Sequence, residues 1–155
     1  MIIEIAKIAP EGSRYVGEEA PAVLDLDNAR GVRVEGALRY ELRAVVVSGR
    51  VVLRGKVGTP LALQCGRCAE FFSTWIADSD FLRDYPLREG QQELDVTEDL
   101  REAVLLHMPT YPICGDACRG LCPRCGRNLN EGPCACPPEE RPPSDVWRTL
   151  DDVNL

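Results

Sequence analysis

The stretch 114–136, which begins and ends with a cysteine, limits the folds open to this chain more than any other segment. It contains six of the eight cysteines, and only Leu121 and Leu129 could bury much apolar surface. A segment with so little apolar surface cannot keep a fixed shape by hydrophobic burial alone. Either disulfides or a bound metal must therefore stabilise it.

The spacing of these cysteines favours a metal. Cys122-Pro-Arg-Cys125-Gly126 is a zinc-knuckle sequence, in which two thiolates bind one ion and the glycine lets the backbone turn its N–H groups toward the sulfurs. Cys134 and Cys136 form a second close pair across an Asn/Gly/Pro turn. Four thiolates about 2.3 Å from Zn²⁺ complete a tetrahedral site and leave no open position.

Length and composition suit one domain with a modest appendage. The patterns predict a β-rich domain ending in a helix over 1–108, a zinc-binding cysteine-rich segment over 109–136, and a proline-rich spacer with a short amphipathic tail over 137–155. No run is long enough to span a membrane, and the first residues lack the features of a signal peptide. These features predict a cytoplasmic protein, whose thiols stay reduced.

The net charge of −7 is a poor basis for non-specific nucleic-acid binding, which depends on lysine and arginine. Two zinc sites of four thiolates each would make the charge about −11. A basic protein partner suits this balance. His107 is the only histidine, and no Gly-x-Ser-x-Gly, His-Glu-x-x-His, Walker or dinucleotide-binding motif is present. We therefore expect neither an enzyme nor a small-molecule substrate.

Residues 32–63 alternate apolar and charged side chains, which predicts a long antiparallel hairpin with its turn at Ser48-Gly49 and a break at Gly36. Short strands are predicted at 2–8 and 22–26, and another at 71–77 with Trp75 in the core. Residues 95–108 predict one helix, with Asp95 as its cap and Glu98 as a capping-box partner. The predicted class is α+β, with a curved, barrel-like antiparallel sheet, one main helix and a C-terminal zinc knuckle.

Two other functions compete with a binding role. Cys65 and Cys68 form a Cys-x-x-Cys at a strand–strand turn, whereas a thioredoxin-like redox motif needs a helix there; a zinc or redox sensor is the weaker alternative. Asp78, Asp80 and Asp84 could bind a hard cation, as in a nuclease. Solvated turn carboxylates explain these three residues with fewer assumptions.

From Leu61 onward the chain resembles a known family. The residues that carry the resemblance are Leu-Gln-Cys65-Gly-Arg-Cys68 before an aromatic strand, Asp-Leu-Arg-Glu-Ala-Val-Leu-Leu-His-Met-Pro, Gly-Leu-Cys-Pro-Arg-Cys-Gly-Arg-Asn-Leu-Asn and the closing Cys-x-Cys. In this order they are similar to the YceD-type, or large ribosomal RNA subunit accumulation, proteins. The resemblance implies a role in 23S ribosomal RNA accumulation and large-subunit assembly, and it supplies no catalytic residues.

Eight cysteines divide naturally into two zinc sites of four. The first choice is Cys122, Cys125, Cys134 and Cys136, and the second set is Cys65, Cys68, Cys114 and Cys118. A single site within 114–136, with Cys118 replacing one ligand, remains an alternative. The cofactor is therefore one or two structural Zn²⁺ ions.

Four arginines flank the cysteines: Arg67, Arg119, Arg124 and Arg127. They either offset the thiolate charge or form a local basic edge that contacts ribosomal RNA, since a guanidinium suits both phosphates and bases. The expected partners are thus ribosomal RNA or a basic ribosomal protein of the large subunit. The tail helix predicted after Ser144 either docks on the sheet or binds a partner groove.

Overall fold

The computed structural model describes residues 1–137. It contains seven strands and one α-helix in that range, namely β1 (Ile2–Glu4), β2 (Ser13–Glu19), β3 (Val32–Val34), β4 (Leu38–Val47), β5 (Arg50–Gln64), β6 (Phe71–Pro86), β7 (Glu93–Asp95) and α1 (Thr97–Leu106). Two short 3₁₀-helices, Ile5–Lys7 and Pro21–Leu24, lie between strands. The fold is mostly sheet with one helix, and the predicted tail helix lies outside the described residues.

Strand β5 is the centre of a five-stranded antiparallel sheet. Its two halves pair along one edge with β4 and β3, its other edge pairs with β6, and β2 pairs with the outer edge of β4. The predicted hairpin is confirmed, with positive φ at both Ser48 and Gly49 in its turn. The predicted break is confirmed too, because Gly36 lies between the end of β3 and the start of β4.

The barrel-like closure predicted from the long alternating run is wrong. A barrel requires its first and last strands to pair, with a consistent tilt and stagger around the ring. Here β2, β3 and β6 are all edge strands that do not pair with one another, and β5 is the neighbour of three strands. After β6 the chain leaves the sheet, and β7 pairs with β1 in a separate two-stranded sheet. Among residues 1–137 the larger sheet is therefore open.

One face of the sheet forms the core with α1 and the β1–β7 pair. The buried stripe of the helix consists of Leu100, Ala103 and Val104, which lie three or four residues apart on one side of the helix. Ile3 and Leu94 close the core from the small sheet. In the residues described, no helix is long and apolar enough to cross a membrane.

The helix is confirmed, although it is shorter at both ends than the predicted 95–108. The Asp95 carboxylate accepts hydrogen bonds from the Thr97 N–H at 3.0 Å and the Thr97 hydroxyl at 2.5 Å. The predicted capping box is wrong at Glu98, whose carboxylate forms an ion pair with Arg101 at 2.7 Å instead. Asp95 thus satisfies an otherwise free N–H in the first turn without help from Glu98.

The strand predicted at 22–26 is also wrong. A 3₁₀-helix begins at Pro21, whose fixed φ suits the first helical position, and it ends at Asp25 in the left-handed conformation. Leu24, the last residue of this helix, is fully buried in the core. Two short strands, β2 and β7, were not predicted, because polar and glycine residues interrupt their alternation.

Trp75 does not lie in the core, where it was predicted. It is 50% exposed, whereas the neighbouring Ile76 is 7% exposed. Adjacent strand residues point to opposite faces, so two consecutive apolar residues leave open which of them is buried. The register decides, since Trp75 is paired with Pro60 on the outward-facing side of the sheet.

A bulge interrupts the β5–β6 pairing between Gly55 and Val57. A Cβ at Gly55 would lie 2.1 Å from the Glu41 carbonyl oxygen, so the backbones approach closely there. The Asp78 carboxylate accepts the Asp80 N–H at 2.9 Å within the bulge. Asp78 therefore satisfies a backbone group that the interrupted pairing releases.

Candidate metal centres

The first cysteine cluster joins the β5–β6 turn to the segment after α1. Cys65 and Cys68 lie in the turn, Cys114 and Cys118 lie in the later segment, and the four sulfurs are all within 4.8 Å of one another. The Sγ atoms of Cys65 and Cys118 are 3.9 Å apart, and those of Cys68 and Cys114 are 3.8 Å apart.

The second cysteine cluster is local in sequence. It consists of Cys122, Cys125, Cys134 and Cys136, whose sulfurs also lie within 4.8 Å of one another. The Sγ atoms of Cys122 and Cys134 are 3.5 Å apart. These two clusters are the two sets of four that the spacing favoured, and no cysteine belongs to both.

The sulfur spacing fits a tetrahedral metal. Four sulfurs placed about 2.3 Å from one ion lie about 3.8 Å from each other, and the measured separations are close to that value. A disulfide would instead need sulfurs about 2.05 Å apart. All eight cysteines lie in the described residues and all are free. Each cluster could therefore hold one metal ion with four thiolate ligands.

The two Cys-x-x-Cys turns have the same backbone arrangement. Ala69 N–H donates to the Cys65 carbonyl at 2.9 Å, and Gly126 N–H donates to the Cys122 carbonyl at 2.9 Å. Both residues have positive φ, 62° at Ala69 and 72° at Gly126. This conformation points the backbone N–H groups of each turn toward the first sulfur of its pair.

Those N–H groups favour the thiolate form of the first cysteine in each turn. Burial raises the pKa of Cys65, but N–H donors from Cys68, Cys114 and Arg67 outweigh it and bring the pKa to about 6. N–H donors from Cys125 and Arg124 lower the pKa of Cys122 to about 6 as well. Hydrogen bonds to a charged acceptor stabilise it, which is how a protein prepares a thiolate for a metal.

In each cluster another sulfur resists losing its proton. In the first cluster the neighbouring Cys118 raises the pKa of Cys114 to about 12, and in the second the neighbouring Cys125 raises that of Cys136 to about 12. Several negative charges within 4.8 Å repel one another, so only some of the thiols ionise alone. A divalent cation at the centre would remove this repulsion and allow all four to bind as thiolates.

The first cluster is fixed to the sheet by bonds around its turn. Gly66 N–H donates to the Pro112 carbonyl at 2.8 Å, and the Tyr111 hydroxyl donates to the Gly66 carbonyl at 2.8 Å. A Cβ at Gly66 would lie 2.6 Å from the Tyr111 ring, so the ring covers the turn only because glycine is there. On the other side, Leu121 N–H donates to the Arg67 carbonyl at 3.0 Å.

Asn130 connects the two clusters. Its side-chain oxygen accepts the Arg119 N–H at 2.7 Å, and its Nδ2 donates to the Cys118 sulfur at 3.4 Å. This bond lowers the pKa of Cys118. The sequence did not mark Asn130, Ala69 or Tyr111 as part of the sites. Only Ala69 had a readable signal, since it follows one Cys-x-x-Cys just as Gly126 follows the other.

The four flanking arginines all lie exposed on the turns that carry the cysteines. Arg67 Nη1 lies 3.4 Å from both the Asp116 and the Cys118 carbonyl oxygens. It therefore braces the loop between the third and fourth ligands of the first cluster. Arg119, Arg124 and Arg127 form no salt bridge within residues 1–137.

The carboxylates of the nuclease alternative are not gathered around one point. Asp78 is 8% exposed and bonded within the bulge, while Asp84 pairs with Arg50 on the strand. All three carboxylates lie within β6, whereas the simpler interpretation had placed them in a turn. Among the described residues, the two cysteine clusters are the groups with metal-binding geometry.

The open sheet and the two clusters define a small β protein with paired knuckle-type, four-cysteine sites of metal-binding geometry. A family model described as "Large ribosomal RNA subunit accumulation protein YceD" matches residues 75–153, about half of the chain. The chain therefore belongs to the YceD family, and the predicted resemblance is confirmed.

Two sets of relatives agree with this assignment. The chain is 40% identical over 68 residues to "Large ribosomal RNA subunit accumulation protein YCED homolog 1, chloroplastic" of Arabidopsis thaliana, which covers 44% of this chain and 20% of that protein. It is 30% identical over 114 residues to uncharacterised proteins of Mycobacterium tuberculosis and Mycobacterium bovis, covering 64% of this chain and 55% of each of them. The chain thus spans less than two thirds of the length of these relatives. No solved structure matches it.

Proposed function

We propose that this protein is a zinc-binding, non-enzymatic factor that acts in 23S ribosomal RNA accumulation and large-subunit assembly. The observation that carries the proposal is the pair of complete four-sulfur clusters in a chain of the YceD family. Sites with four protein ligands are structural, because they leave no open position for substrate or water. On this proposal the ions give the cysteine-rich segment a shape that a partner recognises.

Zinc is the ion that this donor set suits best. Tetrahedral sites of four thiolates take zinc or iron, and the knuckle turns with their N–H···S bonds are the usual setting of structural zinc. The ligands proposed are Cys65, Cys68, Cys114 and Cys118 for one ion, and Cys122, Cys125, Cys134 and Cys136 for the other. A reducing compartment such as the cytoplasm suits eight thiols, because it keeps them available to the metal.

The proposed partner is ribosomal RNA or a basic ribosomal protein of the large subunit. The name of the Arabidopsis relative refers to the large ribosomal RNA subunit. The exposed Arg67, Arg119, Arg124 and Arg127 around the clusters support an RNA contact, whereas the net charge of −7 supports a basic protein.

Sedimentation of cell extracts on a sucrose gradient tests the role in assembly. We expect the protein to travel with large-subunit precursors, and a variant with serine at Cys122 and Cys125 to remain at the top of the gradient. A protein that stays among free proteins in growing cells would contradict the proposal. Magnesium-dependent cleavage of ribosomal RNA that is lost in Asp80→Ala would instead favour a nuclease. Rapid, reversible thiol oxidation with release of zinc would favour a sensor.

A further inference from the structure

The face of the large sheet opposite α1 is not covered by any element of residues 1–137. We call this face, formed by the outward-pointing side chains of β2, β4, β5 and β6, the outer face. Strand alternation puts charged residues there, as the sequence predicted, but their arrangement across strands is visible only in the register. That arrangement is unusual for a surface that only faces water.

Three arginines form a row across adjacent strands. Arg14 of β2 is paired directly with Arg43 of β4, and Arg43 is paired directly with Arg54 of β5. All three are exposed. Like charges directly opposite each other destabilise a sheet, so the row costs stability in the free protein. A bound polyanion would turn this repulsion into attraction.

The carboxylates near the row do not neutralise it. Glu41 forms ion pairs with both Arg14 at 2.6 Å and Lys56 at 3.0 Å, so one carboxylate serves two cations. Arg43 donates to the Glu11 carbonyl oxygen, and neither Arg43 nor Arg54 forms a salt bridge within the described residues.

The row borders an open cleft at the β-bulge. This cleft, of about 940 Å³, is lined by the four cations Arg14, Arg43, Arg54 and Lys56 against the two carboxylates of Glu41 and Asp80. Gly55 and Phe81 also line it, where the bulge spreads the strands. The local charge is thus positive, although the chain as a whole is at −7.

An exposed aromatic ring lies on the same face. Trp75 is half exposed. A Cβ placed on Gly58 would lie 2.8 Å from the indole nitrogen of Trp75, so the indole ring lies across the backbone of Gly58. The Arg39 guanidinium is 5.9 Å from the ring centroid. Val16, Ala77 and Lys56 complete a second cleft of about 590 Å³ beside the ring. Aromatic rings presented in this way on a sheet are platforms on which unpaired bases stack.

The two clefts share Glu41 and Lys56 and so form one path. Arg54 and Pro60, the partner of Trp75, are six residues apart on β5, and at about 3.4 Å per residue the path is about 20 Å long. That length suits several nucleotides of a single strand.

We infer that the outer face binds single-stranded RNA, with phosphates on the Arg14–Arg43–Arg54 row and a base stacked on Trp75. The inference rests on the proposed function, because it names the RNA that this protein would hold during subunit assembly. A duplex fits less well, because a flat aromatic platform can stack only on bases that are free of the helix. A basic protein partner fits less well too, because the row would repel it.

Fluorescence anisotropy with a labelled single-stranded RNA of about ten nucleotides tests the inference on the full, zinc-loaded chain. We expect Trp75→Ala to weaken binding about tenfold and Trp75→Phe to weaken it less, since a phenyl ring still stacks. We expect Arg43→Ala/Arg54→Ala to weaken binding and to reduce the slope of log K against log salt by about 1.4, as two lost phosphate contacts require for a single strand. The same RNA in a duplex should bind more weakly.

Matched controls separate this surface from general charge and from folding. Arg30→Ala/Arg88→Ala removes two exposed arginines outside the outer face and should leave the affinity nearly unchanged. Thermal unfolding without RNA should show Arg54→Ala to be as stable as the wild type or slightly more stable, because it relieves the repulsion in the row. A variant that loses both stability and binding would contradict the inference.

The outcomes also separate this inference from the proposed function. If the outer-face variants bind RNA like the wild type while alanine at Arg67, Arg119, Arg124 and Arg127 abolishes binding, the outer face is wrong and the knuckle edge is the RNA contact. If the wild type binds no RNA but still travels with large-subunit precursors, the outer face is again wrong and the partner is a protein. If it does not travel with precursors at all, the proposed function fails, whatever the RNA affinity.

Discussion

Replacing Cys122 with serine should remove one zinc ion and leave the other in place. Cys122 belongs only to the second cluster, and none of its three partner sulfurs serves the first. The first cluster is fixed separately to the β5–β6 turn by the bonds of Gly66 with Pro112 and Tyr111. We therefore expect two equivalents of zinc in the wild type and one in Cys122→Ser, counted by native mass spectrometry of protein purified without added metal.

The loss of this zinc should also unfold the segment around it. Leu121 is 39% exposed and Leu129 is half-buried, and full burial of a leucine contributes only about 1.5–3 kcal/mol. Ordering the backbone costs roughly 1–2 kcal/mol per residue, so two such residues cannot order a segment of this length. A structural zinc site contributes on the order of 10 kcal/mol, so a bound ion would supply the missing stabilisation.

Hydrogen exchange can localise the effect. The amides of Cys122, Gly126 and Leu129 donate to carbonyl groups within the segment and should lose their protection in Cys122→Ser, while amides of β5 keep theirs. Arg124→Ala is the matched control, because it changes the same turn at a residue whose side chain is not a ligand. This variant should keep both zinc ions and the protection of all these amides. The reasoning is refuted if Cys122→Ser retains two equivalents, or if the Leu129 amide stays protected after the ion is lost.

Three further predictions concern the turns, the helix and the bulge. Gly126 and Ala69 both have positive φ, which glycine adopts more easily than alanine. Gly126→Ala should therefore lower the free energy of unfolding of the zinc-loaded protein by about 1 kcal/mol, and Ala69→Gly should raise it slightly. Denaturant titration would show changes in the free energy of unfolding of opposite sign for the two variants. Asp95→Ala should cost about 1 kcal/mol, with Asp95→Asn costing less. Hydrogen bonds from the Thr97 side chain and backbone lower the pKa of Asp95, so its contribution is complete above the unfolded pKa near 4 and is lost as the pH falls through the lower folded pKa. Urea unfolding should therefore show the stability difference between the wild type and Asp95→Ala shrinking as the pH falls through this range, and a difference that does not change with pH would contradict the role of the carboxylate as a cap. Gly55→Ala should destabilise the protein by about 3 kcal/mol or more, because the alanine Cβ would lie 2.1 Å from the Glu41 carbonyl oxygen. A thermal unfolding curve of Gly55→Ala like that of the wild type would rule out this close approach.

The alternating run at 32–63 could be interpreted without a structure because its physical basis is local. Each residue of a strand points opposite to the last, so a polar and apolar alternation already predicts a half-buried hairpin, and Ser48-Gly49 predicts its turn. Closure of the sheet could not be predicted in this way. Whether β2 meets β6 depends on the tilt and pairing of distant strands, and here β3 and β4 share one edge of β5 instead.

The orientation of Trp75 shows the same limit on a smaller scale. Two apolar neighbours, Trp75 and Ile76, satisfy the strand pattern in either phase. The register with β5 put the smaller side chain in the core and the larger one on the outer face. The row of Arg14, Arg43 and Arg54 was likewise invisible, because these residues are far apart in sequence and meet only through strand pairing.

The sequence by itself predicted metal-ligand chemistry at the cysteine-rich end, since six thiols in closely spaced pairs with almost no apolar residues among them favour a bound metal over hydrophobic burial. It also indicated the family, because those motifs occur in a fixed order. Only the tertiary structure decided between one cluster and two by bringing Cys65 and Cys68 of the β5–β6 turn to Cys114 and Cys118, and only it showed that the uncovered face carries a basic row beside an exposed indole. The reason is physical: ligand type and periodicity are properties of neighbouring residues, whereas the contacts between distant residues are set by strand register and by the open edge of the sheet.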